Sequence, residues 1–177
     1  KPEAEIAISV TQAELQLTSL QTERALATLT HLRTIAPKHD YVLKLITKVY
    51  DQIEEWPQLC ELLPEVRRKK LFSDERLAEI ELKAYSGCLR NAARSDNNEL
   101  ERAWSKLPKT SQSTTEFILL YIELAADNGP HSKKLEQMII KSINQQWEPR
   151  LIGHYGKLTL EDSTSQLNTA EKWLQDY

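Results

Sequence analysis

The stretch YVLKLITKVYDQIEEWPQLCELLPEV, residues 41–66, decides the fold of this chain. Apolar residues recur in it at helical spacing, and the pattern is broken once, at Trp56-Pro57, before it resumes. Proline is well tolerated in the first turn of a helix, where its missing N–H would have had no partner. The stretch therefore predicts two helices joined by a tight turn, with the second helix beginning near Trp56.

The first helix of this pair has apolar residues on two faces, so it differs from an ordinary surface helix. One face carries Leu43, Ile46, Thr47 and Tyr50, and the other carries Val42, Leu45, Val49 and Ile53. The remaining polar stripe is too narrow for a helix that buries only one side. The pattern predicts that this helix lies between two neighbours.

The buried positions of the second helix recur 34 residues earlier in the chain. The matched pairs are Ala25 with Leu59, Leu29 with Leu63, and Leu32 with Val66. A helix–turn–helix unit of this period cannot bury its apolar side alone and must stack on its neighbours. The first four helices are therefore predicted to be two copies of one hairpin.

Hairpin alternation continues beyond residue 70, although the strict period is lost. We predict one domain, residues 1–177, with hairpins at about 4–36, 39–70, 73–108 and 113–148 and a partial hairpin at 163–177. The stretch RLIGHYGKLTLEDSTS shows no convincing period and is interpreted as a connection after Pro149 ends a helix. The predicted fold is all-α, a right-handed α-solenoid of stacked antiparallel helix hairpins.

Composition excludes several other classes of protein. Four glycines are too few for phosphate-binding loops and closely spaced hairpin turns, and a net charge of −3 offers no global field for nucleic acid. No run of about 18 apolar residues is present, so no membrane contact is predicted for this segment. The absence of an initial Met leads us to expect a fragment.

Cys60 and Cys88 lie far apart in sequence, which predicts no disulfide framework and a reducing compartment.

The 34-residue hairpins resemble tetratricopeptide repeats. Residues of the types favoured by that motif stand at Pro37, Tyr50, Leu59 and Leu63, whereas Gln12 and Gln16 depart from it. The segments EEWPQLCELLPEVRR, KAYSGCLRNAARSDN and QQWEPRLIGHYGKL are similar to HemY-type proteins of bacterial haem-biosynthesis operons. This resemblance implies a soluble region on the cytoplasmic face of the inner membrane, with an anchor in a missing N-terminal segment. An unrelated FAD-dependent oxidase shares the name, but it requires a G-x-G-x-x-G unit that this chain lacks.

Candidates for catalysis or metal binding are sparse. The four histidines, His31, His39, His131 and His154, share no helical face and show no zinc-site spacing. The sequence shows no arrangement of a nucleophile with a base. We therefore predict no enzyme activity, no metal and no cofactor. The alternative function is a haem or porphyrin carrier with a pocket between hairpins, in which a histidine, Met138 or Cys88 supplies an axial ligand.

Two charged features compete as binding sites. The run RRKK at residues 67–70 resembles an anion patch, but cations in the last turn of a helix also complement its dipole, which is the favoured interpretation. The first helix of each hairpin lines the concave side of such a stack. The predicted partner-binding groove has basic and acidic parts: Lys44, Lys48, Asp51, Glu116, Glu123 and Asp127. We predict a protein-binding scaffold that holds a peptide of opposite charge order. The competing interpretation is that these residues are only the exposed edge of buried helices.

Overall fold

The computed structural model describes residues 2–126, 133–158 and 163–176. These residues form helices and contain no strand, which confirms the predicted all-α class. The helices are α1 (Pro2–Thr18), α2 (Thr22–Ile35), α3 (Asp40–Gln52), α4 (Trp56–Lys69), α5 (Asp74–Ala93), α6 (Asn97–Lys106), α7 (Lys109–Gln112), α8 (Thr115–Ala126), α9 (Lys133–Gln145), α10 (Pro149–Lys157) and α11 (Ser163–Asp176). Among these helices, none combines the length and the apolar character that crossing a membrane requires.

The chain divides into two compact units, Lys1–Cys88 and Leu89–Tyr177, hereafter unit 1 and unit 2. In unit 1, the helices α1 to α4 pack in succession, each against the next along the chain. In unit 2, α8 packs against α6, α9 and α10. Packing of helices against their sequence neighbours is the arrangement of an α-solenoid. The single domain and the right-handed superhelix remain predictions.

Burial in unit 1 agrees with the 34-residue register. The three matched pairs are all fully buried: Ala25, Leu29, Leu32, Leu59, Leu63 and Val66. Helix α3 is buried on both apolar faces, and its buried residues are Val42, Leu43, Leu45, Ile46, Thr47 and Val49. The hydroxyl of Thr47 donates to the Leu43 carbonyl at 2.8 Å, so this polar side chain is satisfied inside the core. The predicted position of α3 between two neighbours is confirmed.

The interruption at Trp56-Pro57 is a chain reversal. Glu54 adopts a left-handed conformation with φ 58°, and α4 begins at Trp56 with Pro57 in its first turn. The N–H of Glu55 donates to the Tyr50 carbonyl at 3.1 Å and closes the turn. The helix break predicted from the sequence is confirmed, and it sends α4 back along α3.

The interpretation of the stretch that begins at Arg150 as a connection was wrong for residues 150–157, because they lie in α10. Glu148 caps this helix by accepting a hydrogen bond from the Arg150 N–H at 3.2 Å, and Pro149 occupies its first turn. Leu151 and Tyr155, one turn apart, are both buried. A proline interpreted only as a helix stop therefore also starts a helix, as Pro57 does at the start of α4.

Helix α11 is held against the C-terminal part of α10. The rings of Tyr155 and Trp173 meet edge to face, with centroids 4.8 Å apart. The Gln166 amide donates to the carbonyls of Tyr155 at 2.7 Å and Leu158 at 3.2 Å, at the C-terminal end of α10. The Trp173 indole donates to Asn144 Oδ1 at 3.2 Å. Together these contacts complete a fifth hairpin, of which the sequence predicted only a part.

Candidate partner-binding surface

The three predicted groove residues of α3 have different surroundings in unit 1. Lys48 is exposed, and it forms no ion pair with any residue that the structure describes. Lys44 is half-buried, with its ammonium 5.4 Å from the centre of the Phe72 ring. The side chain of Asp51 is only 9% exposed. Among these three predicted groove residues, the exposed charge is therefore carried by the lysines.

Asp51 is neutralised by two cations from α5. Arg76 Nη2 lies 2.8 Å from Asp51 Oδ2, and Lys83 Nζ lies 3.6 Å from Asp51 Oδ1. Arg76 and Lys83 are seven residues apart, about two helical turns, and so lie on one face of α5. Neither residue is among the predicted groove residues, although this spacing on the first helix of the third hairpin is a signal by which both could have been predicted.

The resulting α3–α5 surface consists of Lys44, Lys48, Asp51, Arg76 and Lys83. It carries four cations around one nearly buried carboxylate. At the edge of the surface, Glu79 Oε2 lies 2.8 Å from Arg76 Nη1 and compensates one more of the four positive charges. The hydrogen bond that Arg76 donates to Glu79 and the charge of Asp51 raise the pKa of Arg76, so its guanidinium stays protonated. The surface has an excess of positive charge and is suited to carboxylate groups.

The acidic part of the predicted groove lies in unit 2 and is partly paired. Glu116 and Glu123 are exposed on α8, and His154 Nε2 of α10 lies 3.6 Å from Glu123 Oε1. The hydrogen bonds that the Arg150 guanidinium donates to Glu148 raise the pKa of Arg150 on α10, and the charges of Glu116 and Glu123 contribute to the same shift. Helix α10, which was not predicted from the sequence, thus brings positive charge to the acidic residues of α8. Asp127 lies outside the described residues.

The RRKK run does more than complement a helix dipole. Arg67 Nε donates to Glu81 Oε1 at 2.8 Å, and the second carboxylate oxygen of Glu81 accepts from Arg67 Nη2. The Glu81 side chain is only 8% exposed, whereas Arg67 is 58% exposed. Burial, with the charge of Glu81 as a smaller cause, raises the pKa of the neighbouring Tyr85 to about 12. Arg67 is therefore the counter-ion of a buried carboxylate.

Of the other three members of the run, one connects two helices and two are exposed. Lys69 Nζ donates to the Lys38 carbonyl at 3.1 Å and pairs with Asp40 at the start of α3. Arg68 and Lys70 are exposed, and within the described residues they form no ion pair. Two of the four cations thus connect helices, and the interpretation by helix dipole alone is corrected for them.

We expect Arg67→Ala to lower the free energy of unfolding by about 1 kcal/mol, because it leaves the buried Glu81 carboxylate without its partner while water reaches part of the site. Arg68→Ala is the matched control, since it removes the neighbouring exposed guanidinium, and it should change stability by less than about 0.5 kcal/mol. Urea denaturation followed by circular dichroism measures both. Equal losses in the two variants would contradict a structural role for Arg67.

The candidate haem ligands have separate environments. His39 Nδ1 accepts from the Val42 N–H at 3.3 Å and so caps α3, and His31 is exposed on α2. His131 lies outside the described residues. Contrary to the sequence prediction, the structure pairs Cys88 with Cys60, because α4 and α5 bring the two thiol groups together. His39 thus has a role in capping, Cys88 is paired with Cys60, and His31 is an exposed side chain.

Met138, the remaining candidate ligand, lines a cavity of about 440 Å³ in unit 2. Trp104 and Ile118 supply apolar walls, and Lys109 and Lys141 supply positive charge. No histidine is among the described residues that line this cavity. The cavity therefore offers a thioether but no imidazole for axial ligation, and the carrier alternative gains no support from it.

Fold and surface together define the class: an all-helical chain of successive hairpins with a cationic α3–α5 surface. The chain is similar to Protein HemY of Escherichia coli K12, Escherichia coli O157:H7 and Shigella flexneri, with 25% identity to each over 150 residues. The match covers 83% of this chain and 37% of each relative, so the chain spans little more than a third of their length. No family model matches, and no solved structure matches. The resemblance to HemY-type proteins predicted from the sequence is confirmed.

Proposed function

We propose that this chain is a non-catalytic binding module whose α3–α5 surface holds an acidic segment of another protein. The observation that carries the proposal is the engagement of Asp51 by Arg76 and Lys83. Because this pairing neutralises Asp51, the charge that the α3–α5 surface leaves for a partner is positive. Lys48 and Lys83 are the most accessible of these cations, since Lys48 is exposed and the side chain of Lys83 is 55% exposed.

The similarity to HemY supports a biological setting for this module. We place the module in haem biosynthesis, as a cytoplasmic tetratricopeptide-like scaffold attached to the bacterial inner membrane. The support is the 25% identity over 83% of the chain together with the all-helical fold. The 34-residue match of fully buried positions in α2 and α4 supports the tetratricopeptide assignment.

The chemistry of the surface predicts how binding depends on salt. Exposed lysines attract carboxylates over a distance of about 10 Å at 0.1 M salt, and added salt screens this attraction. Such charges act mainly on the rate of association and on the choice of partner. An acidic partner should therefore bind more weakly as salt is raised, mostly through a lower association rate constant.

The test uses a partner recovered by crosslinking to the full-length protein and then titrated calorimetrically at matched salt. The double variant Lys48→Glu/Lys83→Gln should raise the dissociation constant about tenfold, which corresponds to about 1.4 kcal/mol. Arg68→Glu/Lys70→Gln is the control, because it changes the net charge equally at exposed positions of the RRKK run. Circular dichroism should show that both variants remain folded.

The two variants separate a local surface from a general charge effect. If the control weakens binding as much as Lys48→Glu/Lys83→Gln, net charge rather than the α3–α5 surface governs the interaction. If the control alone weakens binding, the anion-patch interpretation of RRKK replaces the proposal. Unchanged binding in both variants would exclude both basic surfaces as the site.

A further inference from the structure

The two cysteines of the chain lie together between consecutive helices of unit 1. Cys60 is on α4 and Cys88 is on α5, at a sequence separation of 28, and the structure pairs their sulfurs. Both side chains are half-buried, so small reagents have access to them. Neither the proposed binding surface nor the hydrophobic core needs a cysteine at these positions, and their contact requires a separate explanation.

A close contact between Trp56 and Gly87 sets the positions of both thiols. A Cβ atom added at Gly87 would lie 2.3 Å from ring carbons of Trp56, so the indole lies directly on the backbone of α5. Cys60 follows Trp56 by about one helical turn, and Cys88 follows Gly87 directly. The same contact therefore brings one cysteine from each helix to one place.

The site accommodates the reduced and the oxidised state. The Cα atoms of Cys60 and Cys88 are 7.4 Å apart, and disulfides usually join Cα atoms 4.4–6.8 Å apart, so a small approach of α4 and α5 favours the bond. In the reduced state the Cys88 thiol has an acceptor, the Trp56 carbonyl oxygen at 3.3 Å. The oxidised state thus pairs both sulfur atoms, and the reduced state leaves the Cys88 thiol with an acceptor.

We propose that Cys60 and Cys88 form a reversible redox modification site, oxidised by a low-molecular-weight disulfide such as glutathione disulfide. The thiolate of one cysteine attacks a sulfur of glutathione disulfide, which forms a mixed disulfide and releases one glutathione. The second cysteine attacks the protein sulfur of that mixed disulfide, which forms the Cys60–Cys88 bond and releases the second glutathione. The two protons lost by the cysteines are taken up by the two glutathione thiolates, so two cysteines are oxidised and one glutathione disulfide is reduced.

The bond has a structural consequence within unit 1. It closes a loop that contains the end of α4, the turn to α5 and the buried Glu81. A crosslink of this kind restricts the unfolded chain and so stabilises the folded one. The oxidised protein should therefore melt at a higher temperature than the reduced protein, by about 5–15 °C.

The test equilibrates the chain with excess glutathione disulfide or with excess reduced glutathione, then alkylates free thiols and measures intact mass. The oxidised chain should stay monomeric, lose two hydrogens and accept no alkyl group, and reduction should restore both thiols. Cys60→Ser should instead stop at a glutathione adduct on Cys88. In Cys60→Ser/Cys88→Ser, glutathione disulfide should leave the melting temperature unchanged.

A second variant examines the origin of the pairing. Gly87→Ala displaces the Trp56 ring and should slow closure of the bond, so that the mixed disulfide accumulates. The proposal is overturned if the wild-type chain keeps two alkylatable thiols in excess glutathione disulfide. It is overturned equally if glutathione adducts remain on both cysteines, or if the bond forms only between two chains.

Discussion

Replacing Leu63 by alanine is expected to lower the free energy of unfolding by about 2–5 kcal/mol. Leu63 is 0% exposed in α4, and its removal leaves a cavity that the surrounding helices fill only partly. Leu29, 34 residues earlier in α2, is equally buried and should show a loss of the same size. Urea denaturation followed by circular dichroism measures both losses.

The control for Leu63 is Glu61→Ala on the same helix. Glu61 is exposed, so its replacement should change stability by less than about 0.5 kcal/mol. A loss below about 1 kcal/mol for Leu63→Ala would contradict its place in the core and with it the 34-residue register. A large loss at Leu63 with none at Leu29 would mean that α2 and α4 are not equivalent.

Alanine at Gly87 is expected to destabilise the protein, whereas alanine at Gly153 should stabilise it. Both glycines are helical, and alanine is better than glycine in a helix by up to about 1 kcal/mol. At Gly153 a new Cβ meets nothing within 4 Å, so this gain should be realised. At Gly87 the Cβ lies 2.3 Å from the Trp56 ring, and overpacking of this kind costs typically about 1–3 kcal/mol.

The two glycine variants should differ in stability by about 1–3 kcal/mol, measured in parallel urea titrations. A third variant identifies the cause, because Gly87→Ala should lose its penalty when Trp56 is replaced by leucine. If Gly87→Ala stabilises the protein as much as Gly153→Ala, the indole does not rest on α5. The route by which Cys60 and Cys88 meet would then need another explanation.

Helix α10 shows why part of the fold escaped prediction. Its segment contains Gly153 and Gly156, and only Leu151 and Tyr155 are buried, so the apolar period is too short to recognise. The signal that was present is Glu148-Pro149, a capping residue followed by a proline suited to a first helical turn. Prolines indicate boundaries, and only the neighbouring pattern tells whether a helix ends or begins there.

The candidate binding surface also has one part that the sequence could identify and one part that it could not. The α3 lysines could be selected from sequence, because two apolar faces leave one narrow polar stripe. Arg76 and Lys83 on α5 could not be selected in this way. The partner of Asp51 depends on which helix packs against α3 and on how far the two helices are shifted along each other. The same holds for Glu81, whose burial makes Arg67 a counter-ion instead of a surface cation.

The sequence by itself determined the helical class, the reversal at Trp56-Pro57 and the buried register of α2 and α4. These features depend on the periodicity of apolar residues and on the conformational limits of proline. Both act over a few residues and can be identified in a single sequence. The tertiary structure alone decided that Asp51 is paired, that α10 places His154 beside Glu123, and that Cys60 meets Cys88. Such contacts depend on the packing of one helix against another at atomic distances, because charge pairing and thiol chemistry act only at short range, and no local pattern encodes that geometry.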